Sequence, residues 1–315
     1  MTGRNICVLG GGGFVGSHLV PLLAARGHCV RVPTRRRERC KHLWPLPGIE
    51  VLECDIHDPA RLGEVLTGMD AVINLVGILH ERKPGDFQRA HVELPAKLIE
   101  ACAAKNVSRL LHMSALGAEA GSQSRYQQSK SAGEALFRDQ PNATVFRPSV
   151  IFGPGDSFLS LFADLLRLAP VVPLADAGAR FQPVFVGDVA RAFADALARR
   201  DTLGQRYDLC GPGLYTLAEL VQLTAANLEL RRRILPLGKT ASYWFARLME
   251  LKPGAKIMTR DNHYAMQTDN ICASGQPGGH AQPFGAPTAL ESVIGYLTEA
   301  GPRRNYTGFR AHAGR

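Results

Sequence analysis

The chain has 315 residues, of which 45% are hydrophobic and 21% charged, and its formal net charge is +9. This composition excludes a disordered or fibrous chain. The chain contains no run of about 18 apolar residues, so no transmembrane helix is predicted. The basic excess favours an anionic partner such as a nucleotide or an acidic membrane surface. A nucleic-acid partner is not expected, because the basic runs are short and contain no interleaved aromatic residues.

The cysteine pattern bears on metal binding and on the cellular compartment. Seven cysteines occur without a Cys-x-x-Cys pair. Such spacing argues against a zinc site and against a disulfide framework. We therefore expect no metal site, and buried free thiols in a protein of the reducing cytoplasm.

Short apolar runs alternate with segments of helical spacing in the first half of the chain. Strands are predicted at 6–9, 30–33, 49–52, 71–76, 109–113 and 144–146, with helices at 14–26, from 58, at 87–105 and at 125–140. Such alternation with short connections is typical of parallel strands joined by right-handed crossovers. The pattern predicts an α/β fold with a Rossmann-type doubly wound parallel sheet.

The pattern changes after about Gly153, where prolines become frequent. Helices are predicted at 189–199 and 217–228, and the segment 274–287 is rich in glycine and proline, which predicts an irregular loop. We expect a dinucleotide-binding domain at 1–153 and a smaller, partly interleaved C-terminal α/β lobe at 154–315. Residues 181–200 are expected to return to the first domain.

Glycines occupy the turn between the first predicted strand and the first helix. Glycine allows a tight turn, and its missing side chain lets a pyrophosphate approach the backbone and the amides of the helix start. Because the turn lies between a strand and a helix, it predicts a dinucleotide site. The residues expected to form this site are Gly10, Gly12, Gly13, Phe14, Val15 and Gly16.

A run of arginines follows the second predicted strand, where NAD sites usually place an acidic residue. We expect Arg35 or Arg36 to bind the additional phosphate of NADP(H), which makes NADP(H) the preferred cofactor and leaves NAD(H) possible. The alternative is a solvated basic loop.

Two further segments are predicted to contact the cofactor. Asp55, next to Ile56, could accept the adenine amino group or could belong to a local network with Asp58. Leu75, Val76 and Gly77 lie at the end of the fourth predicted strand, where the second half of a dinucleotide passes.

Tyr126 and Lys130 lie four residues apart and so share one face of a helix. A nearby ammonium group lowers the pKa of a tyrosine, and such a tyrosine can exchange a proton with a carbonyl oxygen. We expect Tyr126 to act as acid/base, with Lys130 as its electrostatic partner and as a ligand of the nicotinamide ribose. Ser114 ends the fifth predicted strand and is a candidate to bond the same substrate oxygen.

These segments resemble the extended and atypical branch of the short-chain dehydrogenase/reductase superfamily. The resemblance rests on VLGGGGFVG (8–16), YQQSK (126–130), RPSVIFGPG (147–155) and PVFVGDVA (183–190). HMSALGA (112–118) followed by SRY (124–126) is similar to the accessory subunit of respiratory complex I and its bacterial relatives. The resemblance implies bound NADP(H), a role near quinones, and a nicotinamide side lined by Pro148 and Val150.

The chain departs from this family pattern at the end of the fifth strand. Extended members usually have a run of hydroxyl residues there, whereas this chain has Met113-Ser114-Ala115. If Ala115 holds the position of the family's active serine, Ser114 points elsewhere and the proton relay is incomplete.

Three functions follow from these observations. The first is an NADP(H)-dependent oxidoreductase acting on a small carbonyl, quinone or isoprenoid-like substrate. The second is a non-catalytic, nucleotide-stabilised accessory protein of a respiratory or quinone-synthesis complex. The third is a nucleotide-sugar epimerase or dehydratase, which the absence of an NAD-type acid disfavours.

The segment 241–251 is an aromatic helix preceded by basic residues. We expect this helix to pack its apolar stripe inward. The alternative is that the helix lies on an anionic membrane, which would make the cytoplasmic protein peripheral to the inner membrane.

Overall fold

The computed structural model describes residues 3–251, 258–272 and 282–299. The strands are β1 (Asn5–Leu9), β2 (Cys29–Thr34), β3 (Ile49–Glu53), β4 (Ala71–Asn74), β5 (Arg109–Met113), β6 (Ala143–Pro148), β7 (Ile151–Phe152), β8 (Val171–Leu174), β9 (Arg180–Phe181), β10 (Val184–Phe185), β11 (Arg206–Leu209), β12 (Tyr215–Thr216) and β13 (Arg233–Pro236).

The helices surround these strands on both faces and fill the second half of the chain. They are α1 (Phe14–Ala25), α2 (Pro59–Leu66), α3 (Asp86–Gln88), α4 (Leu94–Ala104), α5 (Arg125–Ala135), α6 (Phe158–Leu168), α7 (Val186–Ala196), α8 (Leu217–Asn227), α9 (Lys239–Leu251), α10 (Arg260–Ala265), α11 (Leu290–Val293) and α12 (Tyr296–Glu299).

Within the described residues, seven strands form a parallel sheet in the order β11-β6-β5-β4-β1-β2-β3. Its central strands are apolar runs, and β1 and β4 are buried almost throughout because helices cover both faces. From β1 the sheet extends in both directions: β2 and β3 lie on one side, and β4, β5, β6 and β11 lie on the other. The strand order therefore reverses between β1 and β4, as in doubly wound sheets. The predicted α/β Rossmann-type fold is therefore confirmed.

The chain returns to this sheet after residue 180. Helix α7 packs against α1, and Phe193 joins the core formed with Ile6, Val8 and Phe146. Strand β11 adds to the sheet beside β6, which the sequence did not indicate. The division at 153/154 stays a prediction, and residues 1–2 and 300–315 of the predicted domains lie outside the described residues.

A second apolar core lies in the C-terminal half. Phe152, Phe162, Leu220 and Ile294 are buried in it, and α6 packs on α8. Strands β8 and β13 pair in parallel beside this core. Of the predicted irregular segment 274–287, residues 274–281 lie outside the described chain, and a 3₁₀ turn spans Gln282–Phe284.

The predicted continuous helix 87–105 is wrong in one respect, because a π-helical turn at Arg89–Glu93 interrupts it between α3 and α4. Pro95 has no amide hydrogen to donate to the His91 carbonyl four residues earlier, so the regular helical bond cannot form there. This freed carbonyl lies against Gly133 of α5, where any Cβ atom would overlap it. Helix α5 itself ends at Ala135, earlier than the predicted residue 140, in a series of tighter turns.

The expectation that the cysteines are all free thiols is also wrong. Cys210, which follows β11, forms a disulfide with Cys272 across a sequence separation of 62. Among the remaining cysteines, Cys29 is exposed rather than buried. No Cys-x-x-Cys motif marks this pair, since the fold alone brings the two cysteines together.

The contact between α5 and the π-helical turn yields a testable prediction. A Gly133→Ala substitution should lower the free energy of unfolding by about 1–3 kcal/mol, because the new methyl group overlaps the His91 carbonyl. Urea denaturation measures this change. Gly63→Ala in α2 is the matched control: its Cβ would lie 3.7 Å from the Lys105 side chain, and we expect a gain of about 0.5–1 kcal/mol. Equal effects at both positions would contradict the assigned contact.

Candidate functional site

The glycine turn between β1 and α1 is closely packed. Gly10 has φ +78, and a Cβ there would lie 3.1 Å from the Leu75 carbonyl carbon. Gly16 of α1 packs so closely on Gly11 that a Cβ would overlap the Gly11 backbone. Both positions therefore require glycine. Gly12 and Gly13 are exposed, as expected for a turn that a ligand approaches.

The start of α1 fits a phosphate group. The first regular helical bond runs from the Ser17 amide to the Gly13 carbonyl, and no side chain caps this end. The amides of Phe14, Val15 and Gly16 precede that bond, and they lie at the positive end of the helix dipole. The side chain of Val15 is buried in the core, so this residue can offer only its backbone to a ligand.

In the arginine loop after β2, some basic side chains contact neighbouring residues and others are free of ion pairs with the described residues. The guanidinium carbon of Arg37 lies 5.1 Å from the Trp44 ring centroid, and Lys41 pairs with Glu38. Arg35 and Arg36 are exposed, and neither forms an ion pair with any residue that the structure describes. Their charges are therefore available to a phosphate.

Asp55 lies beyond β3 in a local network. Its Oδ1 accepts the His57 amide at 3.0 Å, and its Oδ2 is 3.8 Å from the Arg89 guanidinium. Ile56 packs on the apolar cluster next to it. These contacts favour the local network, and an adenine contact stays a prediction.

The segment after β4 lies close to Lys130. The Asn74 side chain accepts the Val76 amide at 3.1 Å, which ends the strand two residues earlier than predicted. A Cβ at Gly77 would lie 3.2 Å from the Lys130 ammonium nitrogen. That nitrogen donates to the Met113 carbonyl at 3.1 Å. Lys130 is therefore at the carboxyl ends of β4 and β5, where ligands of open parallel sheets bind.

The electrostatics of the Tyr126 and Lys130 pair differ from the expectation. Burial raises the pKa of Tyr126 to about 12, and the Asp261 carboxylate adds to the rise. Burial lowers the pKa of Lys130 to about 8, against an opposing effect of Glu134. The expected lowering of the tyrosine pKa by the lysine is thus wrong, because desolvation of the hydroxyl dominates.

His91 belongs to this site, and the sequence analysis missed it. It is buried, stacks on Phe87 and lies 5.6 Å from the Tyr126 ring between centroids. Its Nε2 accepts the Ile78 amide at 3.1 Å, so Nδ1 carries the proton toward Ser129 Oγ at 2.8 Å. Burial lowers the pKa of His91 to about 3, with Lys130 adding to the effect, so the imidazole is neutral. Pro95, which frees the His91 carbonyl, is the single sequence signal that marks this turn.

The hydroxyl of Ser114 is hydrogen-bonded to a carboxylate of α5. This hydroxyl donates to Glu134 at 2.6 Å, and Glu134 also lies 3.5 Å from Arg147. The expectation that Ser114 bonds the substrate oxygen conflicts with this contact, because its one hydrogen is already donated. The arrangement favours the alternative in which Ser114 points elsewhere.

Pro148 and Val150 lie where β6 ends, and their backbones bond within the protein. The Pro148 carbonyl accepts the Leu116 amide at 2.9 Å, and the Val150 amide donates to the Asn270 side chain at 3.1 Å. Asn270 in turn donates to the Leu116 carbonyl at 3.1 Å. Asn270, from the second half of the chain, therefore connects the segments that follow β5 and β6 at this end of the sheet. Nicotinamide contacts of Pro148 and Val150 stay predictions.

The carboxylate of Asp261 in α10 caps the helix that carries Tyr126. It accepts the Arg125 amide at 2.6 Å, the Ser124 hydroxyl at 3.0 Å and the Tyr126 amide at 3.3 Å. These amides belong to the first turn of α5, which has no helical partners for them. Asp261 thus joins the C-terminal half of the chain to α5, and no local capping motif indicates it.

The glycine turn, the open helix start and the Tyr–Lys pair at the end of a parallel sheet define a dinucleotide-binding protein of the Rossmann class. The model of the NAD dependent epimerase/dehydratase family matches residues 6–210, and the chain belongs to this family.

Two relatives resemble the chain over most of its length. The chain is 30% identical over 299 residues to the mitochondrial NADH dehydrogenase (ubiquinone) 1 alpha subcomplex subunit 9 of Rattus norvegicus, covering 92% of this chain and 78% of the relative. It is 31% identical over 236 residues to a ceramide reductase of Caulobacter vibrioides, covering 74% of this chain and 73% of the relative.

A solved structure shares the fold. The dTDP-glucose 4,6-dehydratase DesIV of Streptomyces venezuelae, a double mutant with NAD bound, matches with a TM-score of 0.71 at 19% identity, covering 96% of this chain and 98% of that one. At this identity the likeness extends to the fold alone.

The cap on α5 leads to a prediction. Asp261→Ala should lower the free energy of unfolding by about 1–2 kcal/mol and speed hydrogen exchange at the Arg125 and Tyr126 amides, which lose their acceptor. Amide exchange followed by mass spectrometry measures the second effect. Asp58→Ala, which removes the local cap of α2 at the Ala60 amide, is the control and should leave exchange in α5 unchanged. Unaltered α5 exchange in the Asp261 variant would refute the assignment.

Proposed function

We propose that this protein is an NADP(H)-dependent oxidoreductase that acts on a small carbonyl compound of quinone-like, isoprenoid-like or other lipid-like character. The observation that carries the proposal is the position of Lys130, which lies on the same helix as Tyr126. Its ammonium group lies against Gly77 and donates to the Met113 carbonyl. In open parallel sheets this edge is where dinucleotides and substrates bind.

Tyr126 is the proposed acid/base and Lys130 its electrostatic partner. A bound nicotinamide cofactor would supply or accept the hydride. With a pKa of about 12, Tyr126 keeps its proton at neutral pH and can donate it to a carbonyl oxygen during reduction. With a pKa of about 8, Lys130 is mostly protonated at neutral pH, and its charge stabilises the phenolate that remains. Ser114 has no part in this transfer, because its hydrogen is held by Glu134.

The proposed substrate class rests on two observations. Next to the site, Leu79 is 55% exposed and the Tyr126 ring contacts Phe87, so the surroundings are partly apolar. The ceramide reductase of Caulobacter vibrioides is a similar protein named for a lipid substrate. Both favour an apolar carbonyl compound.

Preference for NADP(H) is tested by titration with NADPH and NADH, followed by nicotinamide fluorescence. Arg35→Gln and Arg36→Gln together should weaken NADPH binding about 10- to 100-fold and leave NADH binding unchanged, because a charge-assisted bond to the 2′-phosphate is lost. Arg39→Gln in the same loop is the charge-matched control and should behave as the wild type. Tighter binding of NADH by the wild type would overturn the arginine assignment and favour the epimerase alternative, whose members regenerate NAD.

The role of Tyr126 is tested by turnover of quinones, isoprenoid carbonyls and long-chain ketones with NADPH. Tyr126→Phe should lower kcat about 10²- to 10⁴-fold and leave NADPH affinity unchanged, because it removes only the proton donor. Ser114→Ala, the control at the neighbouring strand end, should retain kcat. If both variants lose kcat equally, Ser114 belongs to the proton relay; if Tyr126→Phe is fully active, the mechanism is wrong.

A second candidate function is that of an accessory protein of a respiratory complex. The diverted Ser114 hydroxyl favours it, as does the likeness to the complex I subunit over 92% of the chain. Such a protein would be cytoplasmic and peripheral to the inner membrane, and bound NADP(H) would stabilise its folded state. Co-purification of the Tyr126→Phe protein with a respiratory complex, together with normal assembly of that complex, would favour this function.

A further inference from the structure

Helix α9 has an exposed apolar face that no other element in the described part of the chain covers, and the proposed active site does not use it. Trp244, Leu248 and Leu251 are 58%, 59% and 78% exposed. Their spacing of four and three residues places them in one stripe along the helix. We call these three residues the α9 outer face. The opposite side of α9 is already packed, because Ser242 and Ala246 are buried.

The expectation that the apolar stripe of 241–251 packs inward holds for one row of side chains and not for the α9 outer face. Phe245 and Met249 are partly buried against a small cluster that contains Ala175 and Ala246. Two rows of apolar side chains therefore run along α9, and only one of them is covered. The α9 outer face has no packing role within the described part of the chain, so its exposure requires another explanation.

The segment that leads into α9 and forms most of it contains charges of one sign only. The segment 230–249 contains Arg231, Arg232, Arg233, Lys239 and Arg247 and no acidic residue. The guanidinium carbon of Arg247 lies 5.3 Å from the Trp244 ring centroid. Glu250, which follows, is 2.8 Å from Arg260 and is thereby neutralised. Apolar side chains on the face, with Arg247 against Trp244 and further basic residues in the same segment, suit an occupant that is both apolar and anionic.

We infer that the α9 outer face lies on the surface of an anionic lipid bilayer. Tryptophan beside arginine is typical of side chains at the level of lipid headgroups, where the ring is partly apolar and the cation meets phosphate. From Trp244 to Leu251 the stripe rises only about 10 Å, which suits a helix lying in the interface. None of the helices in the described ranges is long and apolar enough to cross a membrane.

An acidic protein surface would satisfy the charges but not the rest of the face. Protein interfaces of useful stability bury on the order of 800 Å² per partner with a shaped core. The α9 outer face is a convex ridge of three side chains, and a bilayer takes up such a ridge without a complementary groove. The inference does not depend on turnover, so it can fail or hold independently of the proposed oxidoreductase function.

The test uses the two tryptophans of the chain, Trp44 and Trp244, as separate probes. Vesicles of phosphatidylcholine with phosphatidylglycerol are titrated into the full-length Trp44→Phe protein, and then into the Trp244→Phe protein. We expect a blue shift of emission, and quenching by brominated acyl chains, from Trp244 and not from Trp44. Trp44 is the matched control, because it is 43% exposed and has Arg37 and Lys41 beside it.

Co-sedimentation with the same vesicles measures affinity. A variant with Leu248→Ser and Leu251→Ser should bind at least about tenfold more weakly, and Arg247→Gln should reduce the dependence of binding on salt. Leu214→Ser, at another exposed leucine, is the control and should bind as the wild type. Thermal denaturation of each variant verifies that the fold is intact.

Three outcomes would overturn the inference. Equal binding to vesicles of phosphatidylcholine alone would remove the anionic requirement. Unchanged binding by the Leu248 and Leu251 variant would place the contact elsewhere on the protein. Binding to soluble polyglutamate that depends on the α9 outer face, without any binding to vesicles, would indicate an acidic protein partner instead.

Discussion

The close contact of α5 with the His91 carbonyl is the constraint on which the candidate site depends. Pro95 prevents that carbonyl from receiving a regular helical bond, and Gly133 leaves room for it. Helix α5 and the π-helical turn therefore meet without intervening side chains. Lys130, one turn before Gly133 on α5, is buried there, with its ammonium group against Gly77. The lowered pKa values of Lys130 and His91 both follow from that burial.

The surroundings of Tyr126 keep its hydroxyl protonated, as the proposed role of proton donor requires. Tyr126 is held protonated by burial and by the Asp261 carboxylate, while the neutral His91 adds no competing charge. Asp261 performs two tasks, since its carboxylate also caps the first turn of α5. A carboxylate at a helix start is stabilised by the helix dipole, so the capping position and the charge near Tyr126 have the same cause. The C-terminal half of the chain thereby affects the proposed acid directly.

The proposed nucleotide site and the α9 outer face are separate features, and both fit the proposed role beside a membrane. The first is proposed to consist of the backbone amides at the start of α1 and the exposed Arg35 and Arg36, and the second is a row of exposed side chains on the C-terminal half. An oxidoreductase with an apolar substrate and an accessory subunit of a respiratory complex would both use the two together. Because the Ser114 hydroxyl donates to Glu134 in either case, the two alternatives differ in whether Tyr126 is needed for turnover.

The sequence alone determined the features that depend on neighbouring residues. The parallel sheet followed from alternating apolar runs, and the glycine turn from its place between strand and helix, where Gly10 has a positive φ. Tyr126 and Lys130 followed from their spacing on one helix.

Only the tertiary structure decided the features that join distant residues. Ser114 meets Glu134 20 residues away, Cys210 meets Cys272 62 residues away, and the Tyr126 amide meets Asp261 135 residues away. The pKa of Tyr126 likewise rises rather than falls, because burial by the whole fold outweighs the influence of a lysine one helical turn away. Local spacing contains no information about which distant carboxylate, thiol or apolar surface will surround a side chain, and these surroundings set its chemistry.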